Sequence, residues 1–274
     1  MEKQAGMVTF PEDVCCTQDI PYIDSGKDCH KLDIYRPKVV SGKLPVIVAL
    51  HGGGLLLCSR KTNRVLCGEL AKRGFLVLCL SYPLVPEVDV PRILSDVAVG
   101  MDKVAQLLDD WGGDPERVCL MGDSAGAFLS VYELAAQKEP DVACALGMVP
   151  SALAVKGAVF FSGMFYTARF DQVGACLRKD FYGKRWRKHP FRPYMDPSHP
   201  AVAGAMPSCV LVTAKLDHLR GYTKRFAKGL DRTGVRYTLL DLPVHPALQH
   251  DFVVVKPKHP RVQQVIDRVV EMMI

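Results

Sequence analysis

Short apolar runs rich in β-branched residues alternate with helix-period patterns along almost the whole chain. This alternation constrains the fold more than any other feature. Lys31–Arg36 (KLDIYR) alternates apolar and polar residues and predicts a strand that stops at Pro37. Pro45–His51 (PVIVALH) and Phe75–Leu80 (FLVLCL) are continuous apolar runs, the pattern of strands covered on both faces. Arg117–Met121, Gly157–Phe161, Cys209–Thr213 and Val235–Leu242 read as further strands. Lys61–Arg73, Ala125–Lys138, Tyr222–Asp231 and Pro260–Met273 carry helical patterns between and after them. The clearest helix opens at Pro91. Leu94, Val97, Ala98, Met101, Val104, Ala105 and Leu108 follow with i, i+3, i+4, i+7 spacing, and Gly112-Gly113 ends it. The expectation is an α/β protein with a mainly parallel sheet and helices on both faces.

The 274 residues fit a single domain, 1–274. A chain of this size buries about 75% of its unfolded surface, so a large core is available. Hydrophobic content of 49% and charged content of 23% exclude general disorder. Two regions fit the alternation poorly and are expected to be cap-like: about 1–30, which reads as irregular, and 164–206, which reads as an insertion lying over the sheet. The latter is rich in aromatic, proline and basic residues.

The net charge of +6 is local. Residues 178–192 hold seven basic side chains against Asp180, and the remainder of the chain is neutral. A nucleic-acid binder coated in Lys and Arg is not expected. The ten cysteines form no C-x-x-C, and Cys79, Cys119 and Cys209 sit inside apolar runs. Free thiols and a cytoplasmic, reducing location are expected. Met1–Gln4 leads to Pro11 with no hydrophobic leader, and no run is long and apolar enough to span a membrane.

Gly122-Asp123-Ser124-Ala125-Gly126 is G-x-S-x-G, directly after a predicted strand and directly before a predicted helix. A turn this sharp needs small residues two positions either side of the serine, and it lifts the hydroxyl above the carboxyl edge of the sheet. Ser124 is the candidate nucleophile. His51-Gly52-Gly53-Gly54 follows the strand Pro45–Leu50, where glycine amides can approach a substrate. The expected oxyanion donors are the amides of Gly52, Gly53 and Ala125. His51 lies early in the chain and is expected to order the loop. The order expected behind such an elbow is Ser, then Asp or Glu, then His. Asp217 follows the strand Cys209–Thr213 and is the candidate acid, with Asp241 as a competitor inside the next strand. His245 and His250 both follow Val235–Leu242, and His250 is the candidate base. No metal-ligand spacing such as H-E-x-x-H occurs, and no cofactor is expected.

With these residues in place, the chain from Lys31 to Met273 resembles the hormone-sensitive-lipase-like, or bacterial family IV, esterases of the α/β-hydrolase fold. HGGG at 51–54 and GDSAG at 122–126 are the paired signatures. Tyr82-Pro83-Leu84-Val85-Pro86-Glu87, then Pro91 and Asp96, are similar to the family's stretch between them. Asp114–Arg117 and the His250-x-Phe252 ending are also similar. Pro83 stands where the family usually has arginine, and Leu55 where it usually has an aromatic residue. The resemblance implies a serine carboxylesterase acting on short-chain, acetyl-type esters. The alternatives left open are an arylformamidase or other amidase on the same triad, and a hydrolase fold kept as a non-catalytic binding protein.

The expected partner is a small-molecule ester, with no nucleic acid and no integral membrane association; a homodimer stays open. The basic segment interleaves its charges with Phe181, Tyr182, Trp186 and Phe191. It reads either as a solvated cap face or as a cap that favours acidic or aromatic substrates. In the second case, neutralising Arg185 and Arg187 changes KM for an anionic ester more than for a neutral one. Equal changes, measured on matched substrates, would leave it a solvated face.

Overall fold

The structure, a computed structural model, describes residues 12–169 and 171–273. Residues 1–11, where a leader was sought, lie outside the described residues. The strands are β1 (Val14–Pro21), β2 (Lys31–Pro37), β3 (Leu44–Leu50), β4 (Leu76–Leu80), β5 (Gly113–Asp123), β6 (Gly157–Phe161), β7 (Cys209–Ala214) and β8 (Tyr237–Leu242). They form one eight-stranded sheet in the order β1-β2-β4-β3-β5-β6-β7-β8. β1 and β2 pair antiparallel, β2 and β4 likewise, and all pairings from β4 through β3 to β8 are parallel.

The helices are α1 (Arg64–Lys72), α2 (Val90–Trp111), α3 (Ala125–Lys138), α4 (Pro140–Leu146), α5 (Gln172–Tyr182), α6 (Pro200–Ala203), α7 (Arg220–Thr233), α8 (Phe252–Val255) and α9 (Pro260–Met273). The continuous apolar strands have helices on both sides because successive side chains point to opposite faces. Val46, Val48 and Leu50 of β3 join a core with residues of α2, α3 and α7, whereas Ile47 and Ala49 join a second core with α1 and α9. The start of α2 is fixed by Asp89, whose side chain accepts the Arg92 N–H, and its end by Gly112 in the left-handed region.

Two segments differ from the sequence expectation. Val14–Pro21, read as irregular and cap-like, is an edge strand paired to β2. Its alternation is weak because one side of an edge strand faces solvent: Val14 is buried, but Thr17 to Asp19 are exposed. Pro140–Leu146 forms a short helix that no periodicity announced, ending in left-handed Gly147. In the insertion, Phe181, Tyr182, Trp186 and Phe191 turn inward, as the solvated-face reading expects. Phe191 packs edge-on against Tyr132 of α3 at 4.9 Å, and the Tyr132 hydroxyl donates to the Tyr194 carbonyl at 2.7 Å. Tyr132 lies eight residues beyond Ser124, about 12 Å along the helix at 1.5 Å per residue. The aromatic interior of this segment therefore rests on the flank of α3. Arg178 and Arg187 both stack over the ring of Trp186, at 4.8 and 4.7 Å, and the remaining cations of 178–192 are exposed. This arrangement favours the solvated-face reading.

Glu133 of α3 is fully buried, with neither carboxylate oxygen hydrogen-bonded. Burial, reinforced by the charge of Asp102, pushes its pKa well above the ordinary 4.5. A raised acid contributes its stability fully below the unfolded pKa and loses it as pH climbs through the folded value. Denaturant unfolding of the wild type should therefore show stability falling as pH rises above the ordinary carboxylate range, and Glu133→Gln should flatten that fall. Identical slopes in the two proteins would place the titrating group elsewhere.

Candidate functional site

Ser124 occupies the single residue between β5 and α3. Its φ of 47° is left-handed, a conformation that costs a non-glycine residue about 1–3 kcal/mol. The neighbouring glycines make the turn fit. A Cβ on Gly122 would run into the Gly126–Ala127 backbone, and one on Gly126 into the Leu50 carbonyl at the end of β3. The turn is tied down on both sides: the Ser124 N–H donates to the Phe161 carbonyl and the Ser124 carbonyl accepts the Met164 N–H, each at 2.9 Å.

The candidate acid and base arrive on two loops at the carboxyl edge. The Asp217 N–H closes a tight turn onto Ala214 at the end of β7. A lone parallel bridge between Leu216 and Gln249 lays the loop after β8 beside that turn. The result is a relay. Ser124 Oγ lies 3.0 Å from His250 Nε2, and His250 Nδ1 lies 2.8 Å from Asp217 Oδ1. Asp217 is further held by the Thr213 hydroxyl and the Leu219 N–H, both donating at 2.9 Å. Burial pushes the Asp217 pKa up, but these donors and His250 outweigh it and hold the carboxyl below its ordinary value. The competing residues are engaged elsewhere. Asp241 is bound bidentately by Arg220 at 2.7 and 2.6 Å, and His245 faces His259.

The loop 51–54 is organised by residues that its motif does not name. His51 stacks on Tyr82 with ring centroids 4.1 Å apart, and the Tyr82 hydroxyl donates to the His51 carbonyl. Burial pushes the His51 pKa down to about 4, so the imidazole is neutral near pH 7. The Gly52 N–H donates to Asp123 Oδ2 at 2.8 Å. This corrects the expectation for Gly52: its amide is committed inside the protein and does not face a substrate. The amides of Gly53 and Ala125 have no partner among the described hydrogen bonds. Ala125 is the first residue of α3, where no intrahelical acceptor exists and the helix dipole favours negative charge.

Asp123 and Asp251 went unassigned in the sequence. Asp123 accepts from Gly52 through one oxygen and from Asn63 Nδ2 at 2.6 Å through the other. Asn63 sits in the turn anchored by Arg60, whose buried guanidinium pairs with Asp19, Asp28 and Asp33. Asp123 thus ties the elbow to the 51–54 loop. Burial, opposed by those donors, raises its pKa to about 6. Asp251, in the left-handed region at φ 51°, places Oδ2 3.3 Å from His250 Nε2. Burial, then the charges of Asp123 and Asp217, push its pKa up to about 9, so it holds its proton at neutral pH. A signal for Asp123 was present, since it is the variable residue inside G-x-S-x-G. Asp251 had none beyond its place after His250.

Among the described residues, no helix is long and apolar enough to cross a membrane. A family model described as the alpha/beta hydrolase fold matches residues 47–254. A carboxylesterase from Mycobacterium tuberculosis is 27% identical over 227 residues, 80% of this chain and 70% of that protein. A probable isoprenylcysteine alpha-carbonyl methylesterase from Arabidopsis thaliana is 36% identical over 105 residues, 38% of this chain. The chain spans only 25% of that plant protein's length. The crystal structure of esterase B from Lactobacillus rhamnosis superimposes with a TM-score of 0.89 at 21% identity, over 97% of this chain and 86% of that one.

The bridging role of Asp123 yields a test. Asp123→Ala frees the 51–54 loop, and a reactive group displaced by 1 Å can cost on the order of 10²-fold in rate. The expected loss is in kcat for ester turnover, with a smaller loss in Asp123→Asn, which keeps an acceptor for the Gly52 amide. A change confined to KM would count against the role.

Proposed function

The chain belongs to the α/β-hydrolase family, in its hormone-sensitive-lipase-like branch, and from that premise we propose that it is a serine carboxylesterase hydrolysing short-chain, acetyl-type esters through an acyl-enzyme. The observation that carries the reading is the unbroken relay from Ser124 Oγ through His250 to Asp217, with contacts of 3.0 and 2.8 Å. His250 Nε2 takes the Ser124 proton as Oγ bonds to the ester carbonyl carbon. The carbonyl oxygen gains the negative charge and is received by the Gly53 and Ala125 amides. The carbon–oxygen bond to the alcohol then breaks, and the alcohol leaves with the proton from His250. Water repeats the sequence on the acyl-enzyme and releases the acid. Asp217 stays ionised, fixes the imidazole tautomer and stabilises its cation.

The insertion 164–206, which we read as a cap, uses aromatic residues to pack on α3. Nine of the ten cysteines are free thiols, which supports a reducing, cytoplasmic location. A second reading is favoured by the 36% identity to the plant methylesterase: a methyl ester of a bulkier carboxylic acid as substrate.

Turnover of p-nitrophenyl acetate, butyrate and octanoate tests the proposal, beside methyl esters of bulky acids. Acetate and butyrate should turn over faster than octanoate; a preference for the bulky methyl esters would select the second reading. Ser124→Ala and His250→Ala should each lower kcat by at least about 10⁴-fold. Full activity in Ser124→Ala would sink the hypothesis. An inactive His245→Ala beside an active His250→Ala would reassign the base. Faster turnover of a matched amide would make the chain an amidase. Absence of labelling by a fluorophosphonate probe would make it a binding protein.

A further inference from the structure

His218 has no part in the proposed reaction, yet its ring lies 4.3 Å from that of His250 between centroids, tilted by 53°. A nitrogen of His218, a nitrogen of His250 and a carboxylate oxygen of Asp217 all lie within 4.8 Å of one another. We propose that His218, His250 and Asp217 form a binding site for a divalent transition-metal ion of the zinc class, whose occupancy switches the catalytic site off.

The donor set defines the ion. Two imidazoles and one carboxylate suit zinc, copper or nickel, whereas magnesium and calcium prefer oxygen alone. Three protein ligands leave one tetrahedral position for water. The scaffold brings the donors together from two loops, which the Leu216–Gln249 bridge holds side by side. A further oxygen lies beside these donors. Asp251 Oδ2 lies 3.3 Å from His250 Nε2, and Asp251 Oδ1 is buried without a hydrogen-bond partner. His218 is exposed and the His250 side chain is 23% exposed, so an ion can enter from solvent.

Occupancy removes the base whichever ring nitrogen of His250 is used. An ion on Nε2 takes the lone pair that would accept the Ser124 proton. An ion on Nδ1 displaces the hydrogen bond to Asp217 and leaves the proton on Nε2. This switch rests on the esterase reading, but the binding site does not. Local spacing does not announce it, because His250 lies on a different loop from the adjacent pair Asp217 and His218.

The test titrates Zn²⁺ into the 274-residue chain by calorimetry and, separately, into an ester assay. The expected results are one ion per chain, release by EDTA, and loss of turnover over the concentration range of binding. His218→Ala should weaken binding by roughly 10–100-fold, at least the loss that removing an outer-shell partner brings. His218→Gln serves in the same way should the alanine variant not fold. Mg²⁺ should neither bind nor inhibit. The rings of His245 and His259, 5.6 Å apart, offer a rival pair. Unchanged binding in the His218 variants, or binding lost only in His245→Ala, overturns the site. Binding that leaves turnover intact overturns the switch. A protein that binds zinc through His218 but turns over no ester supports the site and counts against the esterase reading alone.

Discussion

The close approach of the elbow to the end of β3 is the constraint on which the site depends. Gly126 sits so near the Leu50 carbonyl that no side chain fits between them, and Gly122 is equally crowded by the turn that follows. That contact forces β5 directly into α3 with one residue between. The residue must be left-handed, and Ser124 is. Its hydroxyl then stands at the carboxyl edge, beside the first free amide of the helix. The same contact sets the starting point of the 51–54 loop relative to Ser124, because Leu50 precedes His51 in the chain. The local strain persists because the parallel pairing of β5 with β3 and β6 surrounds it.

Around that turn, charge is arranged by burial as much as by pairing. Three carboxyls, Asp123, Asp217 and Asp251, crowd one imidazole, and they differ in how many donors each has. Asp217 has a histidine, a hydroxyl and an amide, and stays ionised. Asp123 has two donors and is raised to about 6. Asp251, with one oxygen unpartnered, is raised to about 9. The gradient separates their roles. In the proposed reaction one carboxylate carries charge for the base; a second ties the loop to the elbow, and the third is neutral near pH 7.

The cation-rich segment 178–192 illustrates how tertiary packing reassigns a sequence feature. Its charge pattern invites an anionic partner or a substrate-selecting lid. Its aromatic residues, alternating with the charges, have a stronger claim: burying Phe181, Tyr182, Trp186 and Phe191 fixes which way the segment faces. The cations are outward because the rings are inward, with two of them spread over Trp186.

Much of the fold was legible because it rests on local regularities. Period-2 and period-3.6 patterns set most strands and helices, including both ends of α3 and α9. The glycine spacing around Ser124 set the elbow, since a steric exclusion over five residues is written in those residues. The edge strand β1 escaped because it has no continuous buried face, and α4 because seven residues with three buried positions are too short for a period to stand out. The order Ser124, Asp217, His250 could be read from which strand each residue follows. What the sequence could not decide was which polar atoms meet. The Gly52 amide turned to Asp123, Asp241 was taken by Arg220, and His218 came to rest on His250. Each depends on two loops or elements meeting, at angles fixed by the sheet. Backbone pattern is a property of neighbours in the chain, whereas hydrogen-bond partnership and desolvation are properties of neighbours in space.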